Sequence, residues 1–206
     1  MTGTRHVHVV EDEEPIRRSL HLMLRALGHD VQLFDSGSAF LAALPHLPIG
    51  CVLLDLRMPE VDGLEVQRRL TAAGAVQSVI VMSGHGDLGV AVAALEQGAV
   101  AFLEKPFSRA ALQQALGCAF LRLEDAETYR RHLRAAAVAV QRLPSIERQV
   151  LELMARGHDA SSIARQIGRS DMEVELARSR IFAELEVETV TEALHMAFAA
   201  RRVALL

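Results

Sequence analysis

Residues 51–55, CVLLD, and the residues 56–63 that follow them, LRMPEVDG, are the most informative part of the sequence about the fold. A short apolar run bounded by proline and glycine is typical of a buried strand, so we predict a strand over residues 51–54 with Asp55 at its carboxyl end. Open α/β sheets bind their ligands at that end of the strands. Asp55 is therefore the first candidate functional residue.

Four similar runs accompany this stretch. Short apolar segments occupy residues 7–10, 31–34, 79–82 and 100–103, and segments of helical periodicity lie between them. Five strands that alternate with helices predict a doubly wound parallel sheet. We expect an α/β domain, flavodoxin-like in topology, over residues 1–124.

The strand signal then ends and a different pattern follows. A helical pattern without proline runs on to Pro144, so the last helix of the first domain is expected to continue into a helical linker at residues 125–142. Beyond it the sequence predicts four short helices, and capping-box patterns that begin at Ser170 and Thr189 mark two helix starts. A second, smaller all-α domain is expected over residues 143–206.

Composition narrows the class of protein. Half of the 206 residues are apolar, the formal net charge is −4, and the chain has no Trp and one Tyr, which disfavours an aromatic platform for single-stranded nucleic acid. The two distant cysteines and nine scattered histidines match neither a disulfide framework nor a zinc site. Without a leader pattern or a long apolar run, a cytoplasmic protein with no membrane contact is expected.

Polar side chains follow four of the predicted strands. Glu11 and Asp12 follow the first strand as Asp55 follows the third, so three carboxylates should converge at one edge of the sheet. Such crowding is costly unless a cation neutralises it, and Mg²⁺ is suited because it accepts one or two carboxylates and bridges to phosphoryl groups. Ser83 and Lys105 could each hold one phosphoryl oxygen. The constellation predicts transfer of a phosphoryl group to Asp55 as nucleophile.

The order of these residues resembles that of the receiver domain of two-component response regulators. The match comprises the acidic pair at residues 11–12, Asp55 with the Met-Pro and Gly that follow it, Ser83, and Lys105 with its following proline. The resemblance implies that a sensor histidine kinase phosphorylates Asp55, with Ser83 and Lys105 in catalytic roles. It also implies that Ser83 and Phe102 form the switch.

The same resemblance implies a set of metal ligands. They would be the carboxylates of Glu11, Asp12 and Asp55 together with the backbone carbonyl of Arg57, and the ion would be Mg²⁺. Glu11 is a departure, since many receivers have Asp at this position; the longer side chain shifts the carboxylate, and we expect Mg²⁺ binding to survive.

Residues 143–202 resemble the LuxR-type DNA-binding domain of FixJ- and NarL-like regulators. By that resemblance, residues 168–170 form the turn of a helix-turn-helix, and the helix from residue 171 to about 184 enters the major groove. The implied DNA-contacting residues are Arg165, Arg169, Glu175, Arg178 and Ser179.

The net charge of the second domain leaves a second interpretation of its function open. Residues 143–206 contain eight arginines, no lysine and ten acids, a net charge of −2, although attraction to phosphates normally supplies much of the affinity for DNA. Residues 160–162 (ASS) and Ala177 also replace residues frequent in such domains. The leading hypothesis is a transcription regulator rather than an enzyme, dimeric when phosphorylated and bound to double-stranded DNA. The alternative is an interaction protein whose helical domain no longer binds DNA.

Overall fold

The computed structural model describes residues 5–84 and 88–203, with the backbone alone for Leu88 and Arg202. The chain divides into two compact units between Ala126 and Glu127. None of the described helices is both long enough and apolar enough to cross a membrane.

Strands and helices alternate throughout the first unit. The strands are β1 (His6–Val10), β2 (Asp30–Phe34), β3 (Cys51–Asp55), β4 (Ser78–Ser83) and β5 (Ala101–Glu104). The helices are α1 (Glu14–Ala26), α2 (Gly37–Ala43), α3 (Gly63–Ala72), α4 (Leu88–Glu96) and α5 (Arg109–Glu124), with a 3-10 turn at Leu44–His46.

The five strands form one parallel sheet in the order β2-β1-β3-β4-β5, which confirms the predicted doubly wound fold. The strand order reverses direction between β1 and β3, where Val10 pairs with Leu54. In sheets of this kind, ligands bind outside the carboxyl ends of the strands at such a reversal. The residues that follow β1 and β3 are therefore placed side by side.

Helices cover both faces of the sheet, so its central strands are buried on both sides. Every residue of β3 and β4 is buried. This double burial explains why the strands appear in the sequence as continuous apolar runs rather than as alternating patterns. One core cluster joins the sheet to α1 and α5; its fully buried members include Val9, Leu24, Leu53, Ile80 and Leu112.

The connection between the two units differs from the predicted continuous helix. α5 ends at Glu124, a new helix α6 (Ala126–Arg142) begins two residues later, and Asp125 between them has φ −143° and ψ 84°. Aspartate favours such breaks because its carboxylate competes for backbone hydrogen bonds outside the helix. The sequence has no proline or glycine at this break that would have predicted it.

The second unit is helical. After α6 come α7 (Ser145–Met154), α8 (Ala160–Ile167), α9 (Asp171–Leu185) and α10 (Val190–Val203), the four helices that the sequence predicted. α7, α8 and α10 all pack against α9. The side chains at the centre of this packing are fully or almost fully buried: Leu151, Ile163, Ile181 and Leu194.

Both predicted capping boxes are present. Ser170 Oγ accepts a hydrogen bond from the amide of Glu173, and the Glu173 carboxylate accepts one from the amide of Ser170. Thr189 and Glu192 exchange the same pair of hydrogen bonds before α10. Each box satisfies amides that the first turn of a helix leaves without partners.

Candidate functional site

Three acidic side chains meet at the carboxyl edge of the sheet. Glu11 follows β1 directly, Asp12 comes next, and Asp55 is the last residue of β3. One carboxylate oxygen from each lies within 4.8 Å of the others. Glu11 is fully buried and Asp55 is 4% exposed. The structure brings these acids together because β1 and β3 are neighbours in the sheet.

Lys105 connects two of the three acids. Its Nζ atom lies 2.7 Å from Glu11 Oε2 and 2.9 Å from Asp55 Oδ1. The lysine follows β5 and precedes a cis peptide bond to Pro106. It is the one lysine in the whole sequence. A single ammonium group is thus shared by two buried carboxylates.

Burial dominates the electrostatics of this cluster. It raises the pKa of Glu11 and that of Asp55, and the hydrogen bonds from Lys105 oppose but do not cancel this effect. Burial by itself lowers the pKa of Lys105, but its hydrogen bonds and charge interactions with the two acids outweigh it, so that the pKa is raised. Lys105 is therefore held in its charged form between two buried carboxyl groups whose pKa values are raised.

The acidic cluster suits a hard divalent cation. Its donors are carboxylate oxygens, which such cations prefer, and Glu11 Oε1 is buried without a hydrogen-bond partner among the described residues. A buried oxygen of this kind is costly unless something neutralises it. Arg57, whose carbonyl is the fourth donor implied by the family resemblance, lies with its side chain exposed in the loop after β3.

Arg17 holds the loop that carries Glu11 and Asp12, a role that the sequence reasoning missed. Its Nη1 atom donates to the backbone oxygens of Glu11 at 2.6 Å and of Asp12 at 3.1 Å. A basic residue near the start of a helix interacts unfavourably with the helix dipole. The position of Arg17 near the start of α1 was therefore the one signal in the sequence that this residue has another role. Arg17 therefore fixes the backbone from which two of the acids project.

Gly63 allows helix α3 to begin directly against the end of β3. A Cβ atom at this position would lie 2.4 Å from the backbone oxygen of Asp55 and 2.8 Å from Cα of Leu56. The Gly63 amide donates to the oxygen of Leu56, and Asp62 caps the helix by accepting from the amide of Glu65. These contacts fix the backbone near Asp55 against the start of α3.

The two residues proposed for the switch lie on the neighbouring strands. Ser83 is the last residue of β4 and is fully buried, and its backbone oxygen accepts a hydrogen bond from the amide of Lys105 at 2.7 Å. Phe102 lies on β5, is 5% exposed and pairs in register with Val81. Ser83 therefore ends the strand next to Asp55, and Lys105 follows the strand beyond it.

The second unit contains the expected helix-turn-helix. α8 ends at Ile167 and is capped by Gly168, which has φ 67° in the left-handed region that favours glycine, and α9 begins two residues after Arg169. The five residues predicted to contact DNA lie on these two helices and their turn. Their hydrogen bonds are local: Arg165 with Ser162, Arg169 with Glu173, Arg178 with Glu175, and Ser179 with the Glu175 carbonyl.

Two residues of α9, Ala177 and Arg180, have structural roles. Ala177 is 3% exposed, among the buried residues of the helix, so the lack of a larger side chain there removes nothing from the exposed surface. Arg180 donates to Glu147 on α7 at 3.3 Å, and Glu147 is 4% exposed. This ion pair ties α9 to α7.

A parallel five-stranded sheet with acids and a lysine at its carboxyl edge, followed by a helix-turn-helix unit, defines the class of response regulators with a DNA-binding output domain. Comparison with known families agrees. Residues 7–117 match the response regulator receiver domain, and residues 141–197 match the luxR family of bacterial regulatory proteins. The chain belongs to the response regulator family, in its FixJ/NarL type.

Similar proteins span the whole chain. It is 36% identical over 200 residues to the transcriptional regulatory protein FixJ of Bradyrhizobium diazoefficiens, covering 97% of this chain and 98% of that protein. It is 37% identical over 193 residues to FixJ of Rhizobium meliloti, covering 94% and 95%. The crystal structure of full-length FixJ from B. japonicum is 35% identical, with a TM-score of 0.59 over 98% of this chain and 99% of that one. The protein is a two-component transcription regulator.

Proposed function

We propose that a sensor histidine kinase phosphorylates Asp55 and that this modification controls DNA binding by α9. The observation that carries the proposal is the position of Lys105, whose Nζ lies within 2.9 Å of both Glu11 and Asp55 while Asp12 completes the acidic cluster. These are the groups that phosphoryl transfer to a carboxylate needs: a nucleophile, a cation-binding set and a fixed ammonium.

The proposed cation is Mg²⁺, held by Glu11, Asp12 and Asp55 with the carbonyl of Arg57. When bound, it supplies positive charge that offsets the carboxylates and polarises the phosphoryl group. The longer side chain of Glu11 is accommodated because it turns into the protein, where it is fully buried and contacts Lys105. Asp12 is the more exposed member of the cluster.

In the proposed reaction, a carboxylate oxygen of Asp55 forms a bond to phosphorus as the P–N bond to the kinase histidine breaks. Lys105 is placed to transfer its hydrogen bond from the Asp55 carboxylate to a phosphoryl oxygen, where it stabilises negative charge. Ser83, at the end of the strand between them, supplies a hydroxyl donor to another oxygen. Phe102 on β5 is then the adjoining aromatic residue that changes position as Ser83 moves.

We assign the receiver domain to residues 1–124, the helical linker to 125–142 and the DNA-binding domain to 143–206. The division of the chain into two units near residue 126, and the helix α6 at Ala126–Arg142, support these limits. The protein acts in this proposal as a signalling protein in the cytoplasm and not as an enzyme with an external substrate.

The proposed DNA contacts are Arg165, Arg169, Glu175, Arg178 and Ser179, presented in pairs by a homodimer that forms on phosphorylation. Half-sites are then expected about one duplex turn apart. The left-handed Gly168 and the capped start of α9 support this assignment, because they set the angle at which α9 leaves the turn.

Labelling with acetyl phosphate and Mg²⁺ tests the phosphorylation site. We expect the full-length chain to be labelled and the Asp55→Asn variant to lose the label, because an amide is a poor nucleophile toward phosphorus. Asp30→Asn is the matched control, since Asp30 begins β2 at the opposite end of the sheet. Full labelling of Asp55→Asn would show that another residue accepts the phosphoryl group.

A salt titration of duplex binding tests the proposed DNA binding. For a DNA-binding protein, affinity should fall steeply as ionic strength rises, and Arg178→Ala should weaken it. Arg18→Ala on α1 is the control, because Arg18 is exposed in the receiver. Absence of any duplex-dependent signal would favour the alternative in which the helical domain contacts a protein.

A further inference from the structure

The exposed side of α9 carries an uncharged stripe. Helix geometry places about 100° between successive residues, so the positions opposite the buried face can be assigned directly. The buried face consists of Val174, Ala177, Ile181 and Leu185. The opposite face, which we call the outward stripe, consists of four exposed residues without charge: Met172, Leu176, Ser179 and Ala183.

The first two residues of the outward stripe are large and apolar. Met172 is 81% exposed and Leu176 is 52% exposed. They are four residues apart, so their side chains are neighbours on the helix surface. The two arginines of α9 lie outside the stripe: Arg178, next to the buried Ala177, pairs with Glu175 and has a side chain only 27% exposed, and Arg180 pairs with Glu147. The exposed face opposite the buried residues is therefore uncharged, and its first two residues are apolar.

We propose that α9 reads thymine methyl groups through Met172 and Leu176, so that each operator half-site carries thymines at two nearby steps. This inference rests on the proposed function, in which α9 enters the major groove of DNA. Thymine is the base that presents a methyl group there, and apolar side chains recognise it by contact. Methionine suits such a contact because its flexible thioether adapts to irregular apolar surfaces.

The spacing of Met172 and Leu176, and the residues on either side of them, fit a DNA duplex. Four residues of helix rise about 6 Å, roughly two base steps of 3.4 Å each. Met172 lies in the first turn of α9, and recognition helices contact bases with their N-terminal residues. Arg180 follows Leu176 by one turn and Arg169 lies in the turn before the helix, so a phosphate on either side could be contacted when these arginines exchange their partners Glu147 and Glu173 for it.

A protein groove is a poorer match for this surface. Helices that dock into apolar grooves use anchors that continue over two turns at i, i+3 or i+4, and i+7. Here the stripe continues as Ser179 and Ala183, which offer little apolar area. Two large side chains followed by two small ones favour contact with separate methyl groups over a continuous helix interface.

Replacement of thymine by deoxyuridine tests the proposal, because it removes the methyl group and keeps the base-pairing groups. The full-length chain, treated with acetyl phosphate and Mg²⁺, would first select duplexes from a random pool. In the selected duplex we expect deoxyuridine at two thymine positions of each half-site to weaken binding, by roughly fourfold per methyl group. Deoxyuridine elsewhere should have no effect.

Protein variants assign each methyl group to a side chain. Met172→Ala and Leu176→Ala should each abolish the preference for thymine over deoxyuridine at one position, and Met172→Leu should retain it. Leu22→Ala on α1 is the control for loss of an exposed apolar residue, since Leu22 is 70% exposed. Unchanged helical circular dichroism would show that the variants are folded.

The outcomes separate this inference from the proposed function. If the selected duplex binds with a steep salt dependence but deoxyuridine is tolerated at every position, α9 does not read methyl groups and the inference is overturned, while DNA binding stands. The same conclusion follows if both alanine variants keep the full preference for thymine. If no duplex is retained by the treated chain, DNA binding and methyl reading both fail.

Discussion

The ammonium group of Lys105 lies 2.9 Å from Asp55 Oδ1, although Lys105 follows β5, Asp55 ends β3, and β4 lies between these two strands. The lysine side chain therefore crosses the end of β4, where Ser83 is located. The proposed phosphorylation of Asp55 would therefore act directly on this ion pair, at the ends of three adjacent strands.

Loss of the Lys105 charge should slow phosphorylation strongly. We expect Lys105→Met to reduce the rate of labelling by acetyl phosphate about 100-fold, the usual effect of removing one preorganised donor from a reacting oxygen. Single-turnover labelling at saturating Mg²⁺ would measure it. Lys105→Arg keeps a cation and should retain more activity than Lys105→Met. Equal rates for the Met variant and the natural chain would show that the ammonium group takes no part in the reaction.

Gly63→Ala should destabilise the receiver and disturb Asp55 together. The added Cβ would meet the Asp55 backbone oxygen at 2.4 Å, so α3 or the end of β3 must move. We expect a loss of about 2 kcal/mol in the free energy of unfolding, as for other overpacked sites, together with slower labelling of Asp55. Thermal unfolding and acetyl phosphate labelling would measure the two effects.

Gly117→Ala is the matched control for this substitution. Gly117 is within α5, and a Cβ there meets nothing within 4 Å. Alanine in a helix interior is favoured over glycine by about 1 kcal/mol, so this variant should be as stable as the natural chain or more so. A Gly63→Ala protein with unchanged stability would contradict the close packing of α3 on β3.

His8 should make the receiver less stable as the pH falls below about 6.5. His8 is fully buried on β1, and its Nε2 atom lies 3.0 Å from the carbonyl oxygen of Pro48, so Nε2 carries the proton of a neutral ring. Burial lowers the pKa of His8 below its ordinary value. Below the unfolded-state pKa of about 6.5, the unfolded chain takes up a proton that the folded chain refuses, and unfolding is favoured.

The stability that His8 contributes is therefore complete above pH 6.5 and declines toward the lowered pKa of the folded state. The slope due to this residue is at most about 1.4 kcal/mol per pH unit. Urea unfolding between pH 5 and 8, followed by methyl NMR signals of the receiver core, would measure it. His8→Gln should flatten the profile, whereas His46→Gln, at an exposed position, should not. A profile unchanged by His8→Gln would rule out this residue as the source.

Ser170→Ala should destabilise the DNA-binding domain by about 1 kcal/mol, because it removes the cap of α9. Ser179→Ala on the same helix is the control: Ser179 is exposed and donates to the Glu175 carbonyl within the helix, an interaction that contributes little. Amide hydrogen exchange in the first turn of α9 would compare the two. Equal exchange in both variants would mean that the capping box does not hold the helix start.

The sequence predicted the sheet and the acidic cluster for a shared physical reason. Strands buried on both faces leave continuous apolar runs, and parallel strands bring their carboxyl ends to one edge, so Glu11 and Asp55 could be placed together from order alone. The contact of Arg17 with two loop carbonyls could not be predicted this way, because it depends on the path of a flexible side chain.

In the helical unit, too, some features could be predicted from the sequence and others could not. Capping boxes at Ser170 and Thr189 are local patterns, and both were predicted correctly. The break at Asp125 and the burial of Ala177 depend on how helices pack, for which a single aspartate or alanine in a helical stretch gives no signal. Local hydrogen bonds could thus be predicted from the sequence, whereas features that depend on the packing of helices could not.

The single lysine gives the protein a built-in spectroscopic reporter. Because Lys105 contacts Asp55 and its side chain is 17% exposed, isotopic methylation of amines would attach NMR-visible methyl groups to this side chain and to the chain terminus alone. The resonance of the modified ammonium group would follow the proposed cation binding and acyl phosphate formation in the intact chain. Kinase, duplex and phosphatase could then be added in turn while one signal records the state of the site.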